Sequence, residues 1–300
     1  MRGCACHTTE GFVHVSCLVE QAKILFAEAE EKKLGSKVLN ERWNRWNTCG
    51  LCKQRYHGVV SCALGWGCWK TYVGRRSETD EIRCMAMNLL GRGLNLASHY
   101  EDALSVREPE LARIRRFGAS EHQMLVVQAN LAITFEAVGR YEEGILMKRD
   151  VYFGRLRLNG EEDRHTLVAA HNYAEPLLCL RRFEEARALL RRTIPVAQSV
   201  LGESDEITLR LRKNYGRALF MDPAATLDDL REAVTKLEET TRTARRVLGG
   251  AHPIAEKIEH DVRDARAVLR AREAKLDGDV NAIREAMAAM TPGMRKIIKN

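Results

Sequence analysis

The sequence contains only 6 prolines in 300 residues, no apolar run of membrane length, no block of one charge and no motif of nucleotide chemistry. Each absence excludes something. Scarce proline leaves helices uninterrupted, and Ala, Leu, Arg and Glu dominate from about residue 78, a bias that favours helix. The longest apolar stretch, around 59–73, is interrupted by Ser61 and Lys70 and falls short of the roughly 20 residues that span a bilayer. The first residues lack a basic start followed by an apolar run, so no secretory signal is expected. The expectation is therefore a cytoplasmic protein that makes no membrane contact. Without a phosphate-binding loop, a dinucleotide fingerprint or a spaced nucleophile pattern, an enzyme is not the first expectation.

What is present can bury a core: 45% of residues are hydrophobic and 30% charged, unlike a disordered chain. The net charge of +7 suits an acidic partner, but the cations are interspersed with Glu and Asp. Arg115-Arg116 and Arg245-Arg246 precede glycines, where a cation complements a helix C-terminus. That structural role outweighs nucleic-acid contact, and no nucleic-acid partner is expected.

The chain repeats. Asn88, Asn130, Asn172 and Asn214, in MNLLG, ANLAI, HNYAE and KNYGR, follow each other at steps of 42 residues. Tyr100, Tyr141 and Phe183 each precede two acidic residues, and glycines recur at Gly118, Gly160 and Gly202. The fourth unit drifts: Gly249 follows Gly202 by 47 residues, and the insertion is expected around Met221-Asp222-Pro223. Each unit reads as two helices. Apolar residues at helical spacing (Leu125, Ala129, Ala132, Phe135) mark the first, and the aromatic-acidic motif opens the second. The small residue three after the aromatic (Ala103, Gly144, Ala186) permits close helix approach. Such pairs cannot bury both apolar faces alone and must stack. Pro176 is expected to kink or shorten the first helix of the third unit.

These motifs resemble tetratricopeptide repeats of the 42-residue, kinesin-light-chain type, over roughly residues 78–275. NLA or NYA in the first helix, RYEEG or RFEEA at the second, and VLGE or VLGGAHP at the junction carry the likeness. The resemblance implies an all-α, right-handed helix-pair solenoid with first helices lining a groove. It also implies that an asparagine ladder holds an extended peptide, since an amide offers donors and an acceptor. Tying adjacent turns of the solenoid together is the competing role for Asn88, Asn130, Asn172 and Asn214. Arg210 and Arg217 share a helix face with Asn214 and either attract an acidic peptide or form a solvated basic face.

A reducing compartment makes clustered cysteines metal ligands rather than disulfides. Cys4-x-Cys6-x7-His14-x2-Cys17 and Cys49-x2-Cys52 have ligand types that zinc prefers. The FVHVSCL and CGLC segments, the latter after Trp43 and Trp46, resemble the later part of a RING-CH finger, a zinc module of ubiquitin ligases. By that family's order, Cys4, Cys6, Cys49 and Cys52 form one site, whereas His14 and Cys17 lack their two partners. The first ligand pair and much of the surface for a ubiquitin-conjugating enzyme are missing from this sequence. Either the finger is a half, or a fuller chain carries the pair upstream of Met1. Between Cys17 and Cys49 an inserted helix is expected, and Trp43 or Trp46 is either partner-facing or core.

The expected organisation is a zinc-binding module at 1–57, a connecting and capping helix at 58–77, four repeats and a capping helix at 78–275, and an amphipathic tail at 276–300. Cys62, Cys68, Cys84 and Cys179 read as buried thiols, and the tail is expected to pack back on the repeats. The leading expectation is a zinc-binding scaffold that holds a peptide or partner protein. The alternative is a RING-CH-type ubiquitin ligase whose repeats recruit substrate.

Overall fold

The computed structural model describes residues 14–75, 81–118, 120–250 and 252–299, with side chains described as far as 295. Among these residues the only ordered secondary structure is helical, apart from one isolated bridge between Thr48 and Arg55. The chain divides into two compact units, Met1–Met147 and Lys148–Asn300. No helix among the described residues is long and apolar enough to cross a membrane.

The first unit opens with α1 (Val15–Glu31), α2 (Ser36–Trp43), a short 3₁₀ turn and α3 (Gly58–Tyr72). The inserted helix expected between Cys17 and Cys49 is α1, and it starts early enough to include Cys17. Phe26, Trp43, Trp46 and Tyr72 close an aromatic core, with Phe26 and Trp43 edge to face at 5.1 Å between ring centres. Edge-to-face packing suits the ring quadrupoles. Trp43 and Trp46 are therefore core residues, which removes the partner-facing role for either.

Helix α3 packs on α4 (Glu81–Leu96) through glycines. A Cβ at Gly93 would lie 2.7 Å from the Ser61 carbonyl, and one at Gly65 only 3.0 Å from the Leu90 Cα. The repeats follow as α4 with α5 (Tyr100–Phe117), and α6 (Glu121–Ala137) with the start of α7 (Tyr141–Asn159). Small residues admit the second helix: Ala103 has no exposed surface, and a Cβ at Gly144 would lie 2.9 Å from Glu136 Cγ.

The second unit contains α8 (Arg164–Cys179), α9 (Phe183–Leu201), α10 (Glu206–Phe220), α11 (Leu227–Leu248) and α12 (Pro253–Asp277). The tail forms α13 (Val280–Ala289) and α14 (Pro292–Lys299). Pro176 does not shorten α8, which has 16 residues like α4. The proline sits in the last turn, where little helix remains to be lost.

The recurrent glycines have one cause. Gly118, Gly160, Gly202 and Gly249 end the second helices at φ between +77° and +88°, a conformation that a Cβ penalises. The fourth-unit insertion is the connection 221–226 between α10 and α11, whose Thr226 begins α11 through a reciprocal capping box with Asp229. Of the four thiols read as buried, Cys68 is so, Cys62 and Cys84 are half-buried, and Cys179 is exposed at the end of α8. The tail packs on α12: Met290 and Met294 are buried, and Thr291 donates through its backbone N and Oγ1 to Asp264, each at 2.7 Å. Val280 remains exposed.

Candidate partner-binding face

In the second unit, Asp163 and Asp205 lie 42 residues apart and each caps a first helix. Asp163 accepts from the backbone of His165 and Thr166, and Asp205 accepts from Ile207. Capping satisfies donors that the first turn leaves unpaired. Starting α8 and α10 in the same register brings corresponding side chains together, and Arg164 bridges to Asp205 at 2.7 Å. Helix α10 packs against both α8 and α12, so three first helices share one face.

Polar side chains occupy this face. Asn214 has no exposed surface, and its Nδ2 donates to His171 Nδ1 at 3.2 Å. The imidazole accepts, so it is neutral, in keeping with a pKa that burial pushes down to about 4. Lys213 reaches Glu175 at 3.6 Å and Arg217 reaches Asp261 at 3.9 Å. Burial pushes Asp261 up to about 6, against the pull of Arg217 and Lys213. Burial also opposes the charge on Glu175, but the cations Lys213 and Arg217 help to hold it below the ordinary carboxylate range. Burial, with Arg217 adding repulsion, lowers Lys213.

The asparagines are thus not equivalent. In the first unit Asn130 Nδ2 donates to Asn88 Oδ1 at 2.8 Å, with both residues half-buried. That amide link ties one repeat to the next and leaves one Asn88 nitrogen and one Asn130 oxygen without a described partner. In the second unit Asn214 is sealed inside, where it ties α8 to α10. Asn172 is half-buried and makes no hydrogen bond among the described residues. Arg210 pairs with Glu206 of its own helix at 2.7 Å, and Arg217 is held by Asp261. Both flanking cations therefore already have carboxylates.

The residues that sequence reasoning missed are His171, Glu175, Lys213 and Asp261. A signal existed. Met87, Ala129, His171 and Lys213 occupy one register position, which turns from apolar or small to polar in the last two repeats.

The cysteine-rich end is described only in part, because Cys4 and Cys6 lie outside the described residues. Cys49 and Cys52 sit in a tight turn. Cys49 N donates to Gln54 O at 2.8 Å, Lys53 N donates to Cys49 O at 3.1 Å, and Lys53 turns the chain with φ +60°. Cys49 is buried and Cys52 half-buried. His14 precedes α1 without a side-chain cap, and Cys17 is exposed in the first turn of that helix. Among the described residues no three His, Cys, Asp or Glu side chains come together as a metal site.

No protein-family model and no curated protein matches the sequence. Solved structures do match. One is a putative kinesin light chain of Podosopora anserina with nearly identical TPR-like repeats. It is 20% identical over 72% of this chain and 94% of its own, with a TM-score of 0.51. A variant of that protein with one residue substituted matches equally, with the same TM-score of 0.51. BtubC (BKLC) from P. vanneervenii is 13% identical over 95% of this chain and 91% of its own, with a TM-score of 0.52. At these identities the likeness shows the fold, which is that of TPR-like helical repeats.

Proposed function

We propose that this chain is a protein-binding scaffold whose first helices hold an extended segment of a partner. The TPR-like fold supports a protein partner, because stacked helix pairs build extended binding faces without a catalytic centre. The observation that carries the peptide reading is the unengaged, half-buried amide of Asn172, at the register position where Asn130 and Asn214 are each engaged by a neighbouring repeat. An amide of this kind can bond both polar groups of a peptide backbone. Preference for an acidic segment is secondary, since Arg210 and Arg217 must exchange Glu206 and Asp261 for the ligand.

The test is selection of peptides from a random display library on the immobilised full chain, followed by affinity measurement on Asn172→Ala. The proposal expects enriched sequences that bind Asn172→Ala about tenfold more weakly, equivalent to one lost hydrogen bond of roughly 1.4 kcal/mol. Enriched peptides that bind the variant and the parent equally would count against it.

A zinc-binding role for the N-terminal segment is favoured by the Cys49–Cys52 turn alone. The turn presents two thiols from a hairpin of the type that supplies half of a four-ligand site. Cys49 and Cys52 fit zinc as half a donor set, with Cys4 and Cys6 as the partners that the RING-CH resemblance implies. Zinc would act there as a structural staple. Native mass spectrometry decides: one zinc per chain, lost in Cys49→Ser, supports the role, and none removes it. The ligase alternative has no comparable support, because Trp43 and Trp46 are enclosed by Phe26 and Tyr72. Autoubiquitination with a panel of conjugating enzymes remains its direct test.

A further inference from the structure

We propose that a methionine-lined cavity in the second unit binds a linear aliphatic carboxylate of the fatty-acid class. Two departures from the repeat pattern build it. The connection 221–226, which breaks the 42-residue step, supplies Met221 and Pro223, and the tail supplies Met287, Met290 and Met294. Neither segment is required to stack helix pairs. Together with Phe220 they enclose about 460 Å³, within the range of small-molecule sites. Methionine side chains are unbranched and polarizable and shape themselves to an irregular or flexible apolar guest. The tail wall is fixed rather than loose: Thr291 is held twice by the buried Asp264, and Arg295 Nε donates to Met290 O at 3.0 Å.

Cations outnumber carboxylates on the polar side of the cavity. Arg181, Arg272 and Lys275 line it. Its one carboxylate, Asp222, is already committed to Arg187 at 2.8 Å. Arg181 and Lys275 form no ion pair among the described residues, and Arg272 spends one nitrogen on the Pro223 carbonyl at 3.1 Å. An apolar pocket edged by unpaired cations complements a hydrocarbon chain with a single anionic head. A wider cavity of about 540 Å³ between α9, α10 and α11 differs in carrying two carboxylates, Glu203 and Glu239, which hold its Arg212. The inference is independent of the partner-binding reading, since no asparagine of the ladder lines the cavity.

The experiment is isothermal titration of the full chain with dodecanoate below its micelle-forming concentration. Dodecanol serves as the neutral comparator. The double variant Arg181→Ser/Lys275→Ser changes two exposed, unpaired side chains and leaves the core intact. Saturable one-to-one binding of dodecanoate is expected, weakened about tenfold or more in the double variant. Dodecanol is expected to bind more weakly and equally to both proteins. Absence of saturable dodecanoate binding overturns the proposal, as does equal affinity of parent and double variant. Binding of an apolar-acidic peptide at the cavity without binding of dodecanoate also overturns it and assigns the pocket to a protein segment.

Discussion

Two asparagines in the same register position have opposite environments, and that contrast is testable residue by residue. Asn214→Ala removes the buried donor to His171 and should cost about 1–2 kcal/mol of stability, read by urea denaturation. Asn172→Ala should leave the melting temperature unchanged. Gly202 makes a second local prediction. Its φ is +88° and a Cβ there would meet no atom within 4 Å, so Gly202→Ala carries backbone strain alone, about 1–3 kcal/mol. Two titratable side chains of this face, His171 and Asp261, predict pH behaviour. Unfolded His171 takes its proton near pH 6.5, but the folded side chain does so only near 4. Its share of stability is therefore lost as pH falls through that window. Asp261 acts in reverse: the folded group keeps its proton up to about 6, so its share is lost as pH rises from about 3.9 to 6. The two oppose each other between pH 4 and 6. Asp261→Asn should make acid destabilisation steeper by up to about 1.4 kcal/mol per pH unit, measured by denaturant titrations at pH 6.5 and 4.5.

Elements were readable where a local signal repeats. The helix pairs follow from the 42-residue step, and their ends from glycines that cannot be replaced cheaply at positive φ. The connection between α10 and α11 was visible only as a register slip at Met221-Asp222-Pro223. Its anchor was not visible, because it depends on a contact distant in sequence. Arg187 of α9 is 6% exposed and binds both Asp222 and Glu184. Since Glu184 is largely exposed, Asp222→Ala leaves Arg187 with a poor substitute. The variant should lose about 3 kcal/mol, the lower end of the range for breaking a buried pair, measured by chemical denaturation. Trp43 and Trp46 show the same limit. Their spacing before the CGLC pair fits a partner-facing tryptophan, but Phe26 and Tyr72 come from elsewhere in the chain to enclose them.

At the scale of the molecule, repetition conveyed the fold and irregularity marked the candidate sites. The asparagine ladder was legible as a period, yet its division of labour was not. Whether an amide faces a groove or is sealed depends on the neighbours that stacking supplies, such as His171 beside Asn214. The scaffold reading places partner recognition on Asn172 and cohesion on Asn214. The most direct test is to measure peptide affinity and melting temperature together for these two variants. The account predicts that Asn172→Ala loses about tenfold in affinity for display-selected peptides with an unchanged melting temperature. Unchanged affinity in Asn172→Ala, with a melting temperature that falls as it does in Asn214→Ala, would contradict it.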